Sequence, residues 1–307
     1  MDYKKTFDPE EQMRSGSVLD GQAPLADRRD GAVYVYYDER VPLAVNVALA
    51  TGRPLLLLGR SGTGKSSLAR NVALCLGFRY YEAVVTSRTH ARDLLWGVDL
   101  LRRLHMAQIA ESELGSDMTP FVEPGVLWWA FDPASAAQQA KIVAGKQVLD
   151  PTLEPGGERA VVLIDEIDKA EPDVPNNLLI PLGSLQFQVE ETRVEVKARR
   201  ETAPLVLITS NGERELPPAF LRRCIQLELQ PPDTERLKKI AIKHFPDFDQ
   251  SAIDHIADEL DRARTEERRK DPIGTPEFLD TVRACRDMGI RPGTDAWKAL
   301  VPITVLK

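Results

Sequence analysis

The chain has 307 residues, 43% of them hydrophobic and 28% charged, with a formal net charge of −7 and a sequence pI of about 5.3. This balance describes a soluble globular protein with ample core material and argues against a chain-wide electrostatic footprint for nucleic acid. No apolar run reaches the ~18 residues of a membrane span, and the distant cysteines Cys75, Cys224 and Cys285 form neither a disulfide scaffold nor a zinc motif. With an Asp/Glu/Lys-rich start in place of a signal peptide, a cytoplasmic location with reduced thiols is expected.

Residues 1–30 are polar, with Gly16, Gly21, Pro24 and the Asp27-Arg28-Arg29-Asp30 cluster, and predict a flexible arm that could dock on a neighbour. Residues 32–37 have strand composition. Val41, Leu43, Ala44, Val47 and Leu49 recur at helical spacing and predict a helix over 39–51, ended by Gly52 and Pro54. The run Leu55-Leu56-Leu57-Leu58 is a buried strand, followed by a Gly-rich loop and a helix that Gly77 closes. Residues 79–85 read as a second strand. In 86–104, Leu94, Leu95, Trp96, Leu100 and Leu101 look helical, with Gly97 interrupting, and 105–120 read as a loop around Gly115, Asp117 and Pro120.

Pro124-Gly125-Val126-Leu127-Trp128-Trp129-Ala130-Phe131 is an aromatic insertion that leads into an Ala-rich helix over 134–144. Its tryptophans either pack on the sheet or engage a partner. Ala160-Val161-Val162-Leu163-Ile164 is a strand of the kind buried on both faces. Asp173 is placed to cap a helix over 174–182. Leu185, Phe187 and Val189, then Val194 and Val196, alternate with polar residues across Glu190-Glu191-Thr192 and predict a β-ribbon. Residues 204–209 and 225–229 complete the strands. Beyond Pro231-Pro232 only helices are expected: one capped by Asp233, one carrying Ile253, Ile256, Ala257 and Leu260, and one opened by Thr275-Pro276-Glu277. The predicted organisation is an arm (1–30), an α/β domain (31–230) and a small helical domain (231–307).

Four stretches carry chemistry. Gly59-Arg60-Ser61-Gly62-Thr63-Gly64-Lys65-Ser66 satisfies G-x-x-x-x-G-K-[ST] between a buried strand and a helix. Its glycines let successive N–H groups, with that of Ser67 beyond them, turn toward phosphate oxygens. Lys65 can then reach the β- and γ-phosphates, and Ser66 can ligate Mg²⁺ beside the positive end of the helix. Asp165 and Glu166 stand at the carboxyl end of the buried strand, at the crevice where α/β sheets bind ligands. There Asp165 would hold the Mg²⁺ water shell and Glu166 would act as general base toward water. Asp168 reads instead as a solvated or salt-bridged helix-start residue. Asn211, after the strand of 204–209, could align that water with the γ-phosphate. Finally, Leu216-Pro217-Pro218-Ala219-Phe220-Leu221-Arg222-Arg223 ends in an arginine pair able to meet the charge of a phosphoryl transition state.

Together these four boxes resemble the Walker A, Walker B, sensor 1 and arginine-finger motifs of AAA+ ATPases. The Arg92-Asp93-Leu94-Leu95-Trp96-Gly97 stretch, the Pro124-Gly125-Val126-Leu127-Trp128 insertion and the ribbon at 185–197 make the chain similar to the MoxR-like group, over residues 31 to about 290. The resemblance implies a three-layer αβα sandwich with a five-stranded parallel sheet of order 5-1-4-3-2 and a helical lid. It also implies ATP with Mg²⁺ at the subunit interfaces of a homo-oligomeric ring, usually a hexamer, and a chaperone-like action on a separate client or adaptor protein. Family alignment puts the finger on Arg223, with Arg222 as the fallback. One position departs from the family: the lid helix that commonly opens with a sensor 2 arginine reads Gly274-Thr275-Pro276-Glu277 here, and Arg283 and Arg286 lie about two turns further on. Alternatives left open are a slow-turnover ATP-gated switch, a DNA-directed motor of the restriction type, which the acidic pI disfavours, and a small-molecule kinase.

Overall fold

A computed structural model describes residues 5–9, 11, 33–109, 117–144, 150–153, 156–266 and 273–304. In chain order the elements are α1 (Arg40–Thr51), β1 (Leu55–Leu58), α2 (Lys65–Leu76), β2 (Arg79–Val84), β3 (Trp96–Val98), α3 (Leu100–Ile109), β4 (Val122–Pro124), α4 (Val126–Phe131), α5 (Pro133–Ala144) and β5 (Ala160–Asp165). They continue with α6 (Asp173–Ser184), β6 (Gln186–Gln188), β7 (Glu195–Lys197), β8 (Leu205–Ser210), α7 (Pro218–Leu221) and β9 (Ile225–Glu228). Four helices follow: α8 (Thr234–His244), α9 (Gln250–Glu266), α10 (Thr275–Met288) and α11 (Asp295–Thr304).

Five strands form one parallel sheet in the order β2-β5-β8-β1-β9. Counted along the chain and read from the β9 edge, these are the fifth, first, fourth, third and second strands of the sheet, which is the expected 5-1-4-3-2. Alternation along each strand builds two cores, because successive side chains point to opposite faces. Leu56, Tyr81, Val162, Ile164, Val206 and Ile208 pack with α4, α6 and the insertion. Leu55, Leu57, Tyr80, Val161, Leu163 and Leu207 pack with α1 and α2. Burial on both faces explains why β5 and β8 are apolar at nearly every position. A third core, with Leu237, Ile253, Leu260, Phe278 and Trp297, joins the four C-terminal helices.

Several local expectations change. Residues 33–38 do not form a strand; both edges of β1 are already taken, by β8 and β9. The tyrosines there serve packing instead, with Tyr34 in the core beside α2, Tyr36 half-buried against that core and the Tyr36 hydroxyl donating to Asn71 Oδ1 at 2.6 Å. The stretch 86–104 is not one helix but a short turn of helix, strand β3 and the start of α3, and β3 pairs antiparallel with β4. Both insertion tryptophans are buried. Trp128 donates to Ser135 Oγ at 2.7 Å, and Trp96 stacks on Phe187 of the ribbon. That ribbon forms as expected, with Phe187 opposite Val196. Asp173 begins α6 rather than capping it, with Pro172 at the cap position. In contrast, Asp233 does cap α8, accepting from the Arg236 N–H at 2.8 Å. Helix α11 is an addition to the three expected. Of the predicted arm, residues 5–9 are anchored: Phe7 is buried, and Asn46 Oδ1 accepts the Thr6 and Phe7 N–H groups at 2.6 and 2.8 Å. The remainder of 1–30, apart from residue 11, lies outside the described residues, as do residues 267–272.

Candidate active site

The loop after β1 turns with Gly62 at φ +79° and Gly64 at φ +87°, a region that L side chains rarely occupy. Space reinforces the requirement: a Cβ on Gly64 would lie 3.3 Å from the Tyr34 ring, and one on Gly62 would lie 3.2 Å from Gly274 Cα. Lys65 opens α2 and is only 6% exposed. Its ammonium donates to the Gly59 and Arg60 carbonyls at 2.7 and 2.8 Å and to Asn211 Oδ1 at 2.8 Å. Burial pulls its pKa below the ordinary lysine value, partly offset by the charges of Asp165, Asp168 and Glu166. Thr63 steadies the loop by donating to the Arg60 carbonyl at 2.9 Å.

The carboxylates come from the end of β5, one strand away from β1 across β8. Ser66 Oγ donates to both Asp165 oxygens, at 2.9 and 3.1 Å. The buried Thr209 hydroxyl donates to Asp165 Oδ1 at 2.5 Å and accepts the Glu166 N–H at 2.8 Å. One hydroxyl on β8 therefore fixes both acidic residues. Glu166 adopts a left-handed backbone, φ 61°, that aims it off the strand end; such a conformation is sparsely populated and is retained where the surroundings enforce it. Its two carboxylate oxygens face different donors, Lys169 Nζ at 2.7 Å and Asn211 Nδ2 at 3.4 Å. Asn211 thus bridges Lys65 and Glu166.

Asp168 is where the sequence reading is corrected. It is 2% exposed, and its Oδ2 accepts the Asn211 and Glu213 N–H groups at 3.1 and 2.9 Å. Its Oδ1 is buried without a hydrogen-bond partner among the described residues. This carboxylate holds the turn that carries Asn211. The sequence assigns no role to Lys169 and none to Thr209 beyond its place at the carboxyl end of a buried strand, which is the signal that points to it.

The structure brings Gly59 to Ser67, Asp165, Glu166 and Asn211 together. It does not bring Arg222 or Arg223 to them. Both arginines precede β9, whose Ile225 pairs with Leu55 at the amino end of β1, whereas the phosphate loop leaves the carboxyl end. Four strand residues separate the two ends by ~13 Å. Both arginines are exposed, and Arg223 donates to the Ala219 carbonyl at 3.4 Å. The C-terminal helices meet the loop where the Thr275 N–H donates to the Gly62 carbonyl at 3.3 Å. Glu277 stands in the first turn of that helix. Arg283 and Arg286 lie over the Phe245 ring, at 5.8 and 4.9 Å.

Residues 54–224, more than half of the chain, match the family model described as AAA domain (dynein-related subfamily). The chain belongs to the AAA+ ATPase family. No curated protein matches it. Among solved structures, a proline-to-glycine variant of RuvB from Thermotoga maritima is similar over 90% of this chain and 72% of its own, at 17% identity and a TM-score of 0.50. RuvB of the same organism, described as a Holliday junction branch migration motor, aligns over 86% and 67% at 15% identity and a TM-score of 0.47.

In this AAA+ chain, Ser66 Oγ and the Asp165 carboxylate converge beside the phosphate loop. An oxygen-only pair of this kind suits Mg²⁺, which is commonly held by one or two protein oxygens together with substrate phosphates. Among the described residues no cluster of three His, Cys, Asp or Glu side chains could hold a metal on its own. The three cysteines are buried and unpaired, and no described helix is long and apolar enough to cross a membrane.

Proposed function

We propose that this AAA+ protein hydrolyses ATP at sites shared between neighbouring copies of a ring, and that it is a MoxR-like remodeller of a separate client protein. The observation that carries hydrolysis is the closed set of contacts Ser66–Asp165–Thr209–Glu166–Asn211–Lys65. On this reading the loop amides of residues 59–67 cradle the phosphates, and Lys65 exchanges its carbonyl partners for β- and γ-phosphate oxygens. Ser66 and Asp165 would hold Mg²⁺, which when bound neutralises phosphate charge. Glu166 takes a proton from water as the water oxygen attacks the γ-phosphorus, and the bond from that phosphorus to the β–γ bridging oxygen breaks, giving inorganic phosphate and ADP. Asn211 orients the attacking water.

Arg223, with Arg222 as the fallback, completes the site of the adjacent copy. Its location at the far end of β1 from the chain's own phosphate loop supports action in trans, and an arginine so supplied is worth ~10³–10⁵ in rate in related phosphoryl transfers. Chains with Arg223→Ala keep their own phosphate loops and bases; chains with Glu166→Gln keep their fingers. Mixed together, the two inactive variants should recover turnover, and a mixture as inactive as its components would argue against a shared site. Two observations favour a second reading, a slow ATP-gated switch: Glu166 is ion-paired to Lys169 at 2.7 Å, and Glu277 opens the lid helix where the family commonly has an arginine. A single turnover followed by arrest would select the switch over the remodeller.

A further inference from the structure

Arg53, two residues before β1, makes a set of contacts that the nucleotide site does not use. Arg53 Nε donates to the Arg223 carbonyl at 3.1 Å, and its Nη2 donates to the carbonyls of Arg222 and Cys224, the latter at 3.2 Å. One guanidinium therefore gathers three consecutive carbonyls at the turn after α7. Among the described residues no carboxylate pairs with Arg53, Arg222 or Arg223. Arginine is suited to this task because its planar fork presents several N–H groups at fixed angles, which a lysine ammonium does not.

We infer that Arg53 is a positioning residue for the arginine that acts in trans, fixing the Arg222-Arg223 turn to the strand that leads into the chain's own phosphate loop. This rests on the shared-site reading above. The turn is tied to the two residues that lead into β1, by the Arg53 side chain and by the Ile225 N–H, which donates to the Pro54 carbonyl at 2.8 Å. With its carbonyls held, the turn presents Arg222 and Arg223 outward from a fixed base. Three guanidinium groups that pair with no carboxylate among the described residues make a positive patch, and the neighbour's triphosphate is the anion that such a patch fits. The linkage also joins two sites mechanically: β1 carries the phosphate loop at one end and the anchored finger turn at the other.

The test is a mixing experiment with full-length chains, read as ATP turnover and as KM and kcat separately. Arg53→Ala should lower kcat at least tenfold with KM for ATP unchanged. Arg53→Lys, which keeps the charge but cannot span the carbonyls, should also lose most of kcat. Mixed with Glu166→Gln chains, whose finger turns are intact, Arg53→Ala should recover turnover to the level reached by Arg223→Ala in the same mixture. Wild-type kcat in Arg53→Ala would overturn the inference. So would failure of Arg53→Ala to recover in a mixture where Arg223→Ala does, since the defect would then lie in the chain's own site or its folding. If Arg223→Ala itself shows no recovery, the shared site falls, and the role of Arg53 falls with it.

Discussion

Asp168 offers the most informative perturbation, because its carboxylate touches the backbone of the site's polar arm and none of the groups assigned to the reaction. Replacing it with alanine removes the acceptor for the Asn211 and Glu213 N–H groups, bonded at 3.1 and 2.9 Å. Hydrogen bonds to a charged group contribute about 1.5–3 kcal/mol each, and an orphaned buried donor costs ~1–3 kcal/mol. Glu213 is exposed, so its amide can return to water, whereas Asn211 is half-buried. The expected loss is therefore ~2–4 kcal/mol of stability, below the sum of two full bonds. Catalysis should suffer more than folding. Asn211 spans Lys65 at 2.8 Å and Glu166 at 3.4 Å, and a displacement of ~1 Å in a positioning group can lower the rate ~10²-fold. Asp168→Asn keeps one oxygen for the two amides and should lose under tenfold. Thermal denaturation and steady-state phosphate release measure the two effects. An Asp168→Ala protein with wild-type melting and turnover would refute the assignment.

Two further substitutions test neighbouring parts of the site. Lys65→Ala removes the ammonium aimed at the phosphates; two charge-assisted bonds at ~1.5 kcal/mol or more each imply at least ~10²-fold weaker ATP binding, measurable by titration calorimetry. Lys169→Ala frees the Glu166 carboxylate from a partly exposed ion pair, a type worth ~0.2–1 kcal/mol, so kcat should rise by up to about fivefold. A fall of tenfold would instead mean that Lys169 assists the reaction.

The legible parts of the chain were those in which burial dictates composition. Leu55–Leu58, Ala160–Asp165 and Leu205–Ser210 are covered on both faces, so their apolar runs could be read directly. The phosphate loop was legible because its glycines answer to local backbone geometry, and Asp165 because it ends such a strand. Contacts made across the sheet were not legible. Asp168 looks like any charged residue near a helix start until Asn211, 43 residues on, presents its amide. Tyr34 and Tyr36 alternate as a strand would, yet the periodicity comes from packing beside α2, with no strand edge free beside β1. The 86–104 stretch shows no period of its own because helix, strand and helix follow one another there within a few residues.

Glu166→Gln tests the central claim most directly, with ATP affinity and turnover measured on the same preparation. The substitution keeps the side chain's shape and removes its ability to take a proton, and a general base contributes ~10²–10⁴ in rate. The account predicts wild-type affinity with turnover lowered by at least ~10²-fold. Hydrolysis at the wild-type rate would contradict it.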